Sequence, residues 1–178
     1  IGVSDTIDHS FHGTDMAGLI LYGDMTDLIY GHKKSVAIEN NLASVKIYES
    51  GYETDSDFYG AVIEDAIQQA HEMGASIQCM AVTDDISYDC KSTSSSAALD
   101  ESLVVVSAGN IETTEIDASD YIESCKANVI KSPAQAWNAL TVGAYTEKTV
   151  VTDDRYKPLA APGGISPMSR TSWSWRNG

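Results

Sequence analysis

Apolar residues along the chain follow two different periods that alternate with each other. Over residues 57–73 they recur at helical spacing, and Gly74 then offers the left-handed conformation in which helices commonly end. Shorter apolar runs rich in β-branched residues indicate strands over residues 42–48, 76–82, 103–108 and 139–144. A short helix is expected over residues 97–102, and residues 149–164 are expected to form a loop.

The run at 103–108 is the most continuously apolar of these strands, and Gly109 and Asn110 follow it directly. Such a run suits a strand buried on both faces, as in a parallel sheet that helices cover. Strands that alternate with helices predict an α/β fold with a doubly wound, mostly parallel sheet. Functional groups in such sheets collect at the carboxyl ends of the strands, which makes Asn110 a candidate functional residue. On these residues alone, an ordinary turn residue after a strand is the preferred interpretation of Asn110.

Composition and charge exclude several classes of function. Of the 178 residues, 43% are hydrophobic and 21% are charged, which is ordinary for a globular domain. Every apolar run is interrupted before it reaches the length that crosses a bilayer. The net charge of −15 repels the phosphates of nucleic acids and of anionic lipids. We therefore expect neither a nucleic acid nor a membrane as a partner.

The cysteines argue against a structural disulfide framework and against a zinc site. Cys79, Cys90 and Cys125 are odd in number, widely spaced and without a CxxC pattern. Reduced thiols are the expected state, which leans toward a cytoplasmic location without deciding it.

His12 is the candidate for proton-transfer chemistry. It stands at the expected mouth of a helix, and the small residues Gly13, Ala17 and Gly18 allow that helix to pack closely behind a site. Thr14 is able to bond the first turn. On the residues alone, a lone histidine at a helix start is more often a cap or a surface residue than a general base.

The segment HGTDMAG at residues 12–18 resembles the histidine signature of the subtilases, although Phe11 stands where that family usually has Gly. Three further segments resemble that family in the same order along the chain: residues 64–80, 104–110 and 133–144. Where the subtilases usually have Met-Ser-Leu-Gly, this chain has Met80-Ala81-Val82-Thr83. Residues 21–24 and 133–146 resemble a bacterial subgroup of the S8 peptidases in particular.

This resemblance implies a three-layer, subtilisin-like α/β fold that is incomplete over residues 1–178. It implies a serine endopeptidase that hydrolyses peptides or proteins through an acyl-enzyme, with His12 as the general base and Asn110 in the oxyanion hole. Met80, Ala81 and Val82 would lie at the substrate-binding edge.

No cofactor follows from the resemblance. Subtilases often bind calcium in loops, and the loop pairs Asp84-Asp85 and Asp153-Asp154 are the places to consider. Neither pair has ordered ligand spacing, so we expect solvated charges and no metal site.

The other two members of a Ser-His-Asp triad are expected outside the chain. Asp5 and Asp8 are interpreted as loop residues, because neither follows a predicted strand and both are too close to His12. Arg170-Thr171-Ser172 imitates the Gly-Thr-Ser of the nucleophile segment, but Arg170 replaces the Gly that the tight turn needs. Residues 164–170 better resemble the Phe-Ser-x-x-Gly segment of the family. We therefore expect Ser172 to be a decoy, with a nucleophilic Ser172 as the alternative, and this piece alone to be inactive.

A second hypothesis is a catalytically dead module that binds peptides or a partner protein, suggested by Phe11 and by the altered Met-Ser-Leu-Gly segment. A nucleotide-binding α/β domain lacks the necessary phosphate loop. The remaining histidines are expected to be structural or solvated: His9 has no accompanying ligand cluster, His32 lies in a basic loop, and His71 falls on the exposed side of the helix.

Overall fold

The computed structural model describes residues 6–48, 59–83 and 102–171. Ile1–Ser76 form one compact unit and Ile77–Gly178 form a second. The helix predicted over residues 97–102 falls outside the described residues except for Ser102, and so do Asp5, Cys90 and Ser172.

The first unit contains three helices among its described residues: α1 (His12–Tyr22), α2 (Thr26–Ile29) and α3 (Tyr59–Glu72). In α3 the buried residues Val62, Ile63, Ala66 and Ile67 form one stripe at helical spacing, which confirms the predicted helix. The helix ends at Glu72, and Gly74 follows with a φ of 85°, which lets the N–H of Ala75 reach the carbonyl of Ala70 at 3.0 Å. His71 is half-buried rather than exposed.

The strand predicted over residues 42–48 is wrong, because this segment is irregular in the structure. Its apolar residues are only partly covered, with Leu42 40% and Tyr48 37% exposed. Lys46 extends its ammonium group to the carbonyl of Ile7, at 2.9 Å. A strand needs a neighbouring ladder of backbone groups, and no strand of the described residues pairs with this segment.

Within the described residues, the second unit carries a parallel sheet of three strands in the order β1 (Ile77–Met80), β2 (Leu103–Ser107) and β3 (Leu140–Val142). Cys79 is in register with Val105, and Val105 with Leu140. Together with the helices, this sheet confirms the predicted α/β class and three of the four predicted strands. Because the strands are parallel, their carboxyl ends lie at one edge.

The central strand is buried less evenly than its sequence predicts. Val104 and Val106 are each 1% exposed and form the core with Ile111 and Cys125, whereas Leu103 is 49% exposed. Successive side chains point to opposite faces, so burial alternates along β2 instead of covering both faces.

The connection from β2 to β3 contains structure that the sequence pattern did not predict. A 3₁₀ turn spans Thr113–Glu115 and α4 spans Tyr121–Ala127. Asp120 caps α4 by accepting the N–H of Glu123 at 3.2 Å. Residues 149–164 contain no helix or strand, as predicted. No helix in the described ranges is both long enough and apolar enough to span a bilayer.

Candidate active site

His12 is the first residue of α1, and its side chain is exposed. This position confirms the expected place at a helix mouth. Phe11 precedes it in the left-handed region, with φ 62° and ψ −3°, and its side chain is 68% exposed. The turn at Phe11 therefore sets the direction in which the chain enters the helix.

Asp8 caps the helix that carries His12. One oxygen of its carboxylate accepts the N–H of Thr14 at 2.7 Å and the Thr14 hydroxyl at 2.8 Å. The other accepts the N–H of Ser10 at 3.2 Å and its hydroxyl at 3.1 Å. The backbone bond from Thr14, followed by the other hydrogen bonds, lowers the pKa of Asp8 from 3.8 to about 2. The first turn is therefore anchored by a charged group.

The sequence interpretation did not find this cap. Asp8 does lie in a loop, as predicted, but it has a structural role there, and the Thr14 hydroxyl donates to Asp8 instead of bonding the first turn itself. The usual signal places a capping side chain three residues before the N–H that it accepts. Here the separation is six residues, because the left-handed Phe11 folds the loop back on the helix.

Asn110 lies three residues beyond the carboxyl end of β2 and is exposed. Gly109 before it has φ 94°, a conformation that favours glycine. A Cβ atom at Gly109 would lie 2.9 Å from Cδ of Arg170 and 3.0 Å from Cγ2 of Thr83. The chain therefore reaches Asn110 through a position that is both left-handed and crowded.

The main chain around Asn110 is held from both sides. The N–H of Arg170 donates to the Gly109 carbonyl at 3.2 Å, and the N–H of Ile111 donates to the Met168 carbonyl at 2.8 Å. The guanidinium Nε of Arg170 donates to the Asn110 carbonyl at 2.8 Å. In the part of the chain that the structure describes, the side-chain amide of Asn110 makes no hydrogen bond.

The predicted substrate-binding residues lie at the end of β1. Met80 is the last residue of that strand and is buried, and Ala81 and Val82 follow it half-buried. Thr83, next along the chain, closes on Gly109 through its methyl group. The structure therefore brings the Met80–Val82 segment and Asn110 to the same edge of the sheet.

Ser169 and Arg170 belong to a segment that crosses this edge. Ser169 is 4% exposed, forms an antiparallel bridge with Asn110, and its hydroxyl accepts the N–H of Ala144 at 3.0 Å. The Thr171 hydroxyl donates to the Cys125 carbonyl at 2.9 Å. Ser172, the residue after it, lies outside the described residues.

A model of the peptidase S8 family, described as the subtilase family, matches residues 3–178. The chain belongs to the subtilase family. No significant match was found among curated proteins or among solved structures. This subtilase is therefore a hydrolase of the serine protease class with a subtilisin-like fold. Its substrates are peptides or proteins.

The other candidates in this subtilase are engaged in ordinary surface contacts. Asp153 makes a bidentate pair with Arg155, and Nη2 of Arg155 lies 2.6 Å from its carboxylate. His32 lies 3.5 Å from Asp27. Across residues 6–48, 59–83 and 102–171, no three His, Cys, Asp or Glu side chains are grouped so as to hold a metal ion. Asp84 and Asp85 fall outside those ranges.

Proposed function

We propose that the chain supplies the general base and the oxyanion donor of a serine endopeptidase, with His12 and Asn110 in these roles. The main support for this proposal is the position of Asn110. It is exposed near the carboxyl end of β2, and hydrogen bonds to Arg170 and Met168 fix the main chain around it. The Met80–Val82 segment lies at the same edge of the sheet, so a substrate peptide bound along it would lie within reach of Asn110. Membership of the subtilase family supports the reaction type.

In this proposal, a serine hydroxyl attacks the carbonyl carbon of the scissile bond while an imidazole nitrogen of His12 takes the hydroxyl proton. The carbonyl oxygen gains the negative charge, and the Asn110 amide donates a hydrogen bond to it. The C–N bond then breaks, and His12 returns the proton to the leaving amine. Water hydrolyses the acyl-enzyme by the same sequence of proton transfers.

Neither Ser169, which is bridged to Asn110, nor Asp8, which caps the helix of His12, is suited to be the nucleophile or the orienting carboxylate. Ser169 is buried and accepts a backbone N–H, and both oxygens of Asp8 are occupied by Thr14 and Ser10. We propose that the serine and the aspartate come from segments other than these.

The test is substitution in the full-length protein that contains this chain, with a fluorogenic peptide as substrate. H12A is expected to lower kcat by about 10⁴ or more, and N110A by about 10²–10³. H32A removes another exposed histidine of the same unit and is the matched control, with unchanged kcat expected. Equal activity in H12A and H32A would overturn the assignment of the base.

The same experiment separates catalysis from binding alone. A module that only binds peptides gives no turnover in the wild-type protein but retains peptide binding by fluorescence anisotropy. Turnover that is lost in both H12A and N110A supports the endopeptidase.

A further inference from the structure

We propose that Arg170 is a positioning residue for Asn110: its guanidinium holds the Asn110 main chain so that the side-chain amide faces the developing oxyanion. This inference rests on the proposed function, because it concerns the orientation of the oxyanion donor.

The Arg170 guanidinium joins two segments of the second unit. Its Nε donates to the Asn110 carbonyl at 2.8 Å. Its Nη1 donates to the side-chain oxygen of Asn128 and to the carbonyl of Val129, each at 3.3 Å. A planar guanidinium presents its donors in fixed directions, so these acceptors define one position for the Asn110 carbonyl.

The Asn110 carbonyl group is bonded to the Cα atom that carries the side chain, so the position of the carbonyl group helps to fix the position of that Cα atom. The residues on either side of Asn110 are fixed as well. The Gly109 carbonyl accepts the N–H of Arg170, and the N–H of Ile111 donates to the Met168 carbonyl. Because the Asn110 amide has no hydrogen bond of its own in the described residues, its direction depends on this main-chain frame. Displacement of a catalytic group by about 1 Å can cost about 10²-fold in rate.

The stem of Arg170 adds a packing contact to these hydrogen bonds. A Cβ atom added at Gly109 would lie only 2.9 Å from Cδ of Arg170, and the methyl group of Thr83 also lies close to this position. Gly109 is therefore confined between Arg170 and the residue that follows the Met80–Val82 segment. Loss of the Arg170 side chain would release both the Asn110 carbonyl and this contact.

The experiment measures kcat and KM of R170Q, R170K, N110A and the double variant N110A/R170Q in the full-length protein. R170Q is expected to lower kcat by about tenfold to a hundredfold with little change in KM, because the ground-state peptide does not use the oxyanion donor fully. R170K is expected to fall between R170Q and wild type, since an ammonium group cannot span both sets of acceptors. The double variant is expected to be no slower than N110A, because the two residues act as one unit.

R155Q is the matched control. It removes the same charge from an exposed arginine that pairs with Asp153 and lies 5.7 Å from the ring centre of Tyr156. Its kcat is expected to match wild type.

The outcomes separate this inference from the proposed function. If N110A leaves kcat unchanged, the oxyanion assignment itself is wrong. Arg170 does not act through Asn110 if N110A lowers kcat and the double variant N110A/R170Q is slower still by the full factor that R170Q costs alone. The same conclusion follows if R170Q changes only KM. Where R170Q does not fold, R170K carries the test: it is expected to bind a peptide aldehyde more weakly than wild type does, with unchanged KM. Unchanged aldehyde affinity overturns the inference.

Discussion

At the residue scale, a left-handed backbone position precedes each of the two proposed catalytic side chains. Phe11 with φ 62° comes before His12, and Gly109 with φ 94° comes before Asn110. Glycine adopts this conformation at no steric cost, whereas another residue there costs about 1–2 kcal/mol. Such strain is commonly found at functional sites, where the surrounding structure maintains it. At Phe11 the surrounding hydrogen bonds are those of Asp8.

Substitution of Gly109 tests the crowding at this turn. G109A is expected to lower the free energy of unfolding by about 3 kcal/mol, because backbone strain and contacts with Arg170 and Thr83 both oppose the methyl group. Gly163 is the matched control: its φ is 79°, but a Cβ there meets nothing within 4 Å. G163A therefore isolates the strain and is expected to cost about 1 kcal/mol. Urea denaturation measures the free energy of unfolding of both variants. Equal losses in G109A and G163A would show that contacts with Arg170 and Thr83 do not contribute to the cost.

At the element scale, α1 depends on a cap from outside the helix. Phe11, its N-cap residue, makes no side-chain capping bond, and no residue of α1 is buried. The two hydrogen bonds from Thr14 to Asp8 tie the first turn to the preceding loop, where Ser10 donates two more bonds to Asp8 and accepts the N–H of His12 at 3.4 Å. Helices without a buried face gain little from packing, so a charged cap weighs more in the stability of this one.

The lowered pKa of Asp8 predicts how this anchor responds to acid. The carboxyl titrates at about 2 in the folded chain against 3.8 ordinarily, so its contribution is present above about pH 4 and is lost as the pH falls toward 2. The melting temperature of D8N is expected to lie below that of wild type at pH 5 and to approach it at pH 2.

The control for this prediction is D15N, which removes another first-turn carboxylate of α1. No side-chain hydrogen bond of Asp15 is present in the described residues, so D15N is expected to lower the melting temperature at pH 5 less than D8N does. Thermal melts followed by circular dichroism measure both. A difference between D8N and wild type that does not vary with pH contradicts the ionic cap.

At the scale of the whole molecule, the proposed residues are distributed over two compact units. His12 belongs to Ile1–Ser76, whereas Asn110, Arg170 and the Met80–Val82 segment belong to Ile77–Gly178. Ser169, the serine that is bridged to Asn110, is unsuited as the nucleophile because it is 4% exposed and tied to Ala144. We propose that another segment supplies the serine.

We propose that a polypeptide of residues 1–178 is inactive, because Arg170 in Arg170-Thr171-Ser172 replaces the Gly that the tight turn of the nucleophile segment needs. It should neither hydrolyse a fluorogenic peptide nor react with a fluorophosphonate, because the reagent needs a serine activated by its base. The full-length protein, treated in parallel, should be labelled. Mass spectrometry locates any adduct, and labelling of Ser172 in the short polypeptide would show that it is the nucleophile after all.

The sequence predicted elements well where periodicity reports burial. Helix α3 was found because its apolar spacing matches the face that it buries, whereas β1, β2 and β3 were found as short apolar runs in which Ile77, Leu103 and Leu140 are exposed. The strand at 42–48 was wrong, because a strand also requires a neighbour, which its own residues do not encode. Helix α4 was missed although Asp120 and Glu123 carry a capping signal, since seven residues are too few to show a period.

By itself, the sequence determined the α/β class, the family, and His12 and Asn110 as candidates, because short motifs and local periods are properties of neighbouring residues. Only the tertiary structure assigned roles to Asp8 and Arg170. Asp8 reaches Thr14 across a left-handed turn, and Arg170 reaches Asn110 across sixty positions of the chain. Contacts of this kind depend on how the backbone folds back on itself, which no local pattern of residues records.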